Sequence, residues 1–174
     1  MNYEMVVDSE LLNLSIPERY LEYSEAYLNS ASTLNSAMLS GQQENSWPNA
    51  AVVLMLSAHA VELFLKGAMY FKDANAHIAH HNIETLYKTY LNEYKDQSYF
   101  FEMPFISEYP SMSEAEIQAL QKEVKPPLPS ILYRYPTESS TKEWGGAQGF
   151  EASSFSLILS KLQNDFKRLR NEIT

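Results

Sequence analysis

The chain has 174 residues, enough for one domain with a sizeable core, and its 45% apolar and 20% charged content is that of an ordinary globular protein. It contains no cysteine, which excludes disulfides and thiolate metal sites and fits a reducing, cytoplasmic location. A formal charge of −9 argues against a broad nucleic-acid surface, which needs clustered Lys and Arg, while leaving room for a local basic patch.

Residues 1–14 lack a basic region followed by a long apolar run, so no signal peptide is expected, and Leu11, Leu12 and Leu14 suit a short helix or an arm against the body. Ser15 as N-cap and Pro17 in the first turn then open a long amphipathic helix over about 17 to 40. Tyr20, Tyr27, Ala31, Leu34 and Met38, joined by Leu21, Leu28 and Leu39, recur at its period, and Gly41 ends it. Pro48 starts a second helix over about 48 to 73 that is apolar on nearly every face, the pattern of a helix at the centre of a bundle. Ser57, His59, Glu62 and Lys66 interrupt it, so no uncharged run reaches ~20 residues and no membrane span is expected. A third helix, about 82 to 95, carries Ile83, Leu86, Tyr87, Tyr90, Leu91 and Tyr94 at helical spacing. Short connections favour antiparallel neighbours.

The middle of the chain is less regular. The apolar run 99–106 is broken by Pro104 and should cover the bundle as a loop or short turn. Ser113 with Glu116 makes a capping box for a short helix ending near Lys125, where Pro126 and Pro127 block continuation; Glu114 and Glu116 suit the positive end of its dipole. Ile131 to Tyr135 reads as extended, because Pro136 disfavours helix before it, and Lys142 to Trp144 reads as its hairpin partner. Gly145, Gly146 and Gly149 read as a mobile loop. A last helix over about 152 to 172, capped by Ser153 or Ser154, shows an unbroken stripe of Phe155, Ile158, Leu159, Leu162, Phe166, Leu169 and Ile173. The expectation is a single all-α domain over 1–174: an up-and-down bundle of four or five helices, an N-terminal arm at 1–14, and an irregular insertion at 96–150 with a short β-hairpin.

Three stretches in this order carry a family resemblance: Ala60 to Gly67 (AVELFLKG) within the apolar helix, His81 to Leu86 (HNIETL) opening the next, and Leu132 to Pro136 (LYRYP) before the last. Over about residues 15 to 174 the chain resembles the HEPN superfamily, an all-α fold whose members include metal-independent ribonucleases and toxin components that are often dimeric. In catalytic members an Arg followed by a polar residue, with a His several residues on, meets its counterpart across a dimer cleft. Arg170-Asn171 resembles the start of that signature, but Glu172, Ile173 and Thr174 follow with no histidine. The resemblance therefore implies a non-catalytic, homodimeric binding or interaction protein in a toxin–antitoxin or defence setting. RNA or nucleotide would be its ligand, and an antitoxin or nucleotidyltransferase its protein partner. The alternative is a degenerate ribonuclease using Arg170 and Asn171 with a histidine from elsewhere, such as His59 or His81.

Read from the residues alone, Glu62 and Lys66 form an i, i+4 pair, and His59 shares their face. On so apolar a helix the carboxylate needs a partner, so the group is the helix's solvent edge, a buried tie to the next helix, or the wall of a polar pocket. His77, His80 and His81 are spaced like metal ligands, yet they span a helix connection with no carboxylate beside them, so no metal is expected and His81 is taken to orient the third helix. Lys161, Lys167, Arg168 and Arg170 are the one basic concentration, suited either to a phosphate or to the C-terminal dipole of their helix. Arg134, between Tyr133 and Tyr135, would pack between the rings or stack on a base. No Gly-rich phosphate loop, nucleophile elbow or zinc-protease motif occurs, and no cofactor is expected.

Overall fold

The computed structural model describes residues 5–105, 113, 115–116, 119, 127–144 and 148–174. Its elements in chain order are a one-turn α1 (Ser9–Leu12), α2 (Ile16–Leu39), α3 (Trp47–Lys72), α4 (Ile83–Glu93), a 3₁₀ turn (Gln97–Tyr99), a one-turn α5 (Pro129–Leu132) and α6 (Ala152–Ile173). The protein is an all-α helical bundle.

Ser15 caps α2 as the sequence suggests, in a full capping box: its hydroxyl accepts from the Glu18 N–H at 3.4 Å, and the Glu18 carboxylate accepts from the Ser15 N–H at 2.7 Å. Those bonds hold Glu18 below the usual carboxylate range. The helix ends at Leu39, and just past its C-cap Ser40 comes Gly41, whose φ of 73° is a conformation glycine adopts without cost. The arm before α2 is tied down by Arg19, which donates to the Leu14 and Leu12 carbonyls at 3.0 Å each.

Helices α2 and α3 run antiparallel. Tyr20 meets Tyr70, the Ser24 hydroxyl donates to the Ala60 carbonyl at 2.7 Å, and Tyr27 meets His59 edge-on at 4.6 Å. Helix α6 is antiparallel to α2 in turn, with Asn35 bonded to the Ala152 carbonyl at 3.0 Å, Gln163 to Asn29 at 2.9 Å and Arg170 to Glu22 at 2.5 Å. The step from α3 to α4 departs from alternation. The connection 73–82 doubles back, so that His81 lies on Glu62 while Tyr94, at the far end of α4, donates to the Ala68 carbonyl at 2.7 Å and sits under Lys72. Helix α4 therefore follows the direction of α3, and ten residues of link allow what a tight turn would not.

The core confirms α3 as the central element. Val53, Ala60, Val61, Leu65 and Ala68 are fully enclosed, and Phe64 stacks on Phe166 at 4.0 Å with an interplanar angle of 7°. By length and composition α3 would cross a membrane, but 72% of its most apolar window is buried within the bundle. Tyr87, Tyr90 and Tyr94 bury their rings and donate to the Phe101, Tyr99 and Ala68 carbonyls, which fastens the segment 97–101 to α4. Burial raises the Tyr94 hydroxyl to about 12, so it stays a donor across the physiological range.

Gly67 marks where α2 and α3 come closest. A Cβ there would lie 3.0 Å from the Tyr20 Cβ and from Leu21 Cδ2, and 3.2 Å from the Pro17 carbonyl oxygen. Gly67→Ala gains about 1 kcal/mol of helix propensity. Against this, overpacking costs about 1–3 kcal/mol, and two of the three obstacles belong to the start of α2 rather than to a flexible side-chain end. We expect a net loss of about 1 kcal/mol, read as a lower urea midpoint at unchanged m; a gain in midpoint would mean that the two helices part without cost.

Three local expectations are corrected. The stretch Ile131 to Tyr135 is not extended: Pro129 presets the first turn of α5, and the Leu128 carbonyl accepts from Ile131 at 2.8 Å and Leu132 at 2.9 Å. The hairpin expected between 131–135 and 142–144 does not form; one isolated bridge, Ser139 to Lys142, closes the turn, and the Trp144 indole N–H donates to the Tyr135 carbonyl at 2.8 Å. The N-cap of α6 is Glu151 rather than either serine, its carboxylate accepting from the Ser153 and Ser154 N–H groups and being held near 2 by the serine side-chain and backbone bonds. The Ser113–Glu116 capping bonds are present, whereas the end of that helix near Lys125 and the glycine loop at 145–147 lie outside the described residues.

Candidate functional site

Two places collect the polar residues. The first is the polar edge of α3. Helical spacing puts His59, Glu62 and Lys66 on one face, and the return of the chain after α3 adds His81. Glu62 is 2% exposed and Lys66 7%. The Glu62 Oε1 atom accepts from Lys66 Nζ at 2.9 Å and faces His81 Nδ1 at 2.8 Å, while Oε2 faces His59 Nδ1 at 3.9 Å. Burial pushes the Glu62 carboxyl up, but the nearby His59 ring and the hydrogen bonds from Lys66 and His81 outweigh it and hold the group at about 2. It is a carboxylate at any physiological pH.

A cavity of about 90 Å³ opens beside this group, lined by Tyr27, Met55, Ala58, His59, Glu62, Ile83, Ser130 and Arg134. Arg134 is thus placed at the mouth with His59 and Glu62, not sandwiched between its tyrosine neighbours; among the described residues, the cation that lies over a ring is Lys72, 4.7 Å from the centroid of Tyr94. His81 directly precedes Asn82, the cap of α4, which accepts from the Thr85 N–H at 3.0 Å. It ties the connection, and with it the start of α4, to Glu62.

The second place is a cleft of about 410 Å³ between α2 and α6. Leu21, Leu28, Phe64 and Phe166 form its apolar wall, and Glu25, Asn29, Gln163, Asn164, Lys167, Arg170 and Asn171 its polar rim. Arg170 is drawn to the α2 side by Glu22 at 2.5 Å and Glu25 at 3.3 Å. No histidine lines this cleft among the described residues; His59 and His81 are both at Glu62. The basic residues of α6 do not act together. Arg168 is turned to the segment 97–102, donating to the Ser98 and Phe100 carbonyls and to Asp165, and Lys161 pairs with Glu102 in the same segment.

The candidates therefore divide into Glu62, Lys66, His59, His81 and Arg134 at one place, Arg170 and Asn171 at the other, with Arg168 structural between bundle and loop. No group of His, Asp and Glu suited to a metal occurs among the described residues. Sequence reasoning missed Asn35, whose side chain is fully buried at the junction of α2 and α6 and whose Oδ1 has no partner. It stands in the spacing Leu28, Ala31, Asn35, Met38, and an amide inside an otherwise apolar stripe is a signal that was available. Glu22 and Glu25 carried no such sign. Compared with family profiles, with curated proteins and with solved structures, the chain matches none.

Proposed function

We propose that this protein is a HEPN-like binding or interaction protein without cleavage chemistry of its own, which uses the cleft between α2 and α6 to hold its ligand. The observation that carries the reading is the chemistry of that cleft. Its volume of about 410 Å³ lies within the range of ligand pockets, and an apolar floor with a rim of four carboxamides, Asn29, Gln163, Asn164 and Asn171, suits a planar group whose edges donate and accept hydrogen bonds. An unpaired base of single-stranded RNA, or a free nucleotide, has that form. Lys167 on the rim supplies a charge for phosphate, while Arg170, already paired with Glu22 and Glu25, is not available as a free phosphate clamp. A cytoplasmic homodimer working with an antitoxin or nucleotidyltransferase completes the reading, on the resemblance alone.

The competing reading is the degenerate ribonuclease, favoured by the adjacent placement of Arg170 and Asn171 in the cleft. One experiment separates the two. A fluorescent single-stranded RNA, titrated with the protein in EDTA, should bind and stay full length, and Asn171→Ala should weaken binding about 10-fold through the lost amide contacts. Shortened RNA, with cleavage abolished in Arg170→Ala, would establish the ribonuclease instead. No saturable binding by RNA or nucleotide would remove the ligand assignment, and a monomeric solution mass the dimer.

A further inference from the structure

The polar edge of α3 is a second site, and its chemistry differs from that of the cleft. Inside it, Lys66 and Glu62 cancel each other at 2.9 Å. Outside that pair stand His59, His81 and Arg134, three groups able to carry positive charge, in a chain whose formal charge is −9. Among the described residues, Arg134 makes no ion pair. The cavity bordered by His59 and Arg134, with the Glu62 carboxylate also in its wall, measures about 90 Å³. At ~30 Å³ per water that is space for about three waters, too little for a whole drug-sized ligand and enough for one small polar group. Ile83, the first residue of α4, also lines it, so the positive end of that helix adds to the potential.

We infer that this mouth binds a single tetrahedral oxyanion of phosphate size, either free or as the end of a monoester whose body stays outside. Arg134 is the permanent charge, Ser130 a neutral donor, and His59 the directed one. Both Glu62-facing nitrogens are Nδ1, which leaves Nε2 on the far side of each ring. A neutral His59 whose Nδ1–H is turned to Glu62 presents a lone pair at Nε2, which repels an anion; a second proton turns Nε2 into a donor. The charged groups around His59 are Glu62, Lys66 and Arg134; His81 shares the carboxylate through its other oxygen, and Tyr27 meets the ring edge-on from α2. An incoming anion offsets the two cations, so binding and protonation of His59 are linked. The anion binds more tightly as pH falls through the histidine range.

This site does not rest on the RNA reading. Sulfate is a suitable probe because its charge is the same at pH 6 and pH 8. Calorimetric titration should give one saturable site, about 10-fold tighter at pH 6, with protons taken up on binding. Arg134→Ala, at an exposed position, should abolish it, Arg134→Lys should restore part of it, and His59→Gln should remove the pH dependence. Lys167→Ala should leave it unchanged, which separates it from the cleft between α2 and α6. Phenyl phosphate binding as well as sulfate shows that a monoester body is tolerated; sulfate alone restricts the site to the free ion. Absence of saturation at pH 6, or affinity indifferent to Arg134→Ala in a folded variant, overturns the inference.

Discussion

Phe64→Ala is expected to lower stability by about 4 kcal/mol. Phe64 is 2% exposed and lies at the crossing of four elements: stacked on Phe166 of α6 at 4.0 Å, and edge-on to Phe101 at 5.9 Å and Tyr90 of α4 at 6.4 Å. Truncation removes the transfer energy of the ring, leaves a cavity, and deprives three aromatic partners of contacts worth about 0.5–1.5 kcal/mol each beyond burial. A domain with a total stability of about 5–15 kcal/mol would still fold, with a thermal midpoint lower by on the order of 10 °C. Phe64→Leu should cost well under half as much. A loss below 2 kcal/mol for the alanine variant would show that the cluster collapses into the space. Because Phe64 also floors the cleft between α2 and α6, the same variant should weaken any ligand there that needs an apolar seat.

What the sequence discloses about this fold is its local part. The stripe from Phe155 to Ile173 predicts the buried face of α6, where Phe155, Leu159, Leu162, Phe166 and Leu169 are enclosed, because burial of a helix face repeats at the helical period. The all-round apolar run after Pro48 predicts the central position of α3 for the same reason. The helix ends are legible where the cap is a common one, as at Ser15, and not where it is Glu151, since Glu is a rare N-cap and two serines stood next to it. Three prolines in close succession hid the fact that the last, Pro129, starts a turn of helix.

The candidate sites were legible only as halves. Glu62 and Lys66 are neighbours by spacing, but His81 reaches Glu62 from 19 residues away because the link 73–82 reverses, and no periodicity reports a reversal. In the sequence Arg170 belongs to a basic helix end suited to a phosphate or to the helix dipole. Its partners Glu22 and Glu25 are 148 and 145 residues distant, so its neutralisation is a property of packing alone. The basic cluster on α6 divides in the same way: Arg170 turns to α2, Lys161 and Arg168 turn to the segment 98–102, and Lys167 lines the cleft.

Lys66→Met is expected to cost about 3 kcal/mol, although it exchanges a charged side chain for an apolar one of similar length on a mostly apolar helix. The loss arises on the partner. Glu62, 2% exposed, would keep only imidazole partners for a carboxylate, and breaking one side of a buried ion pair leaves a charge that neither water nor protein compensates. The double variant Glu62→Gln with Lys66→Met should recover most of the loss, because a neutral amide needs no counter-ion and retains a hydrogen bond to His81. The cycle should therefore return a coupling on the order of 2–3 kcal/mol. Acid unfolding gives an independent check with a definite sign. The folded carboxyl, at about 2, lies below its ordinary value of 4.5, so its contribution is complete above pH 4.5 and disappears as pH falls toward 2. Stability of the native chain should fall across that window, less steeply in Glu62→Gln, which has no proton to take up there. In Lys66→Met the carboxyl titrates at a higher pH, so its acid limb starts earlier. A Lys66→Met loss under 1 kcal/mol with an unchanged acid limb would mean that water reaches Glu62, and that the pair is the solvated edge of α3 rather than the tie that holds the connection after it.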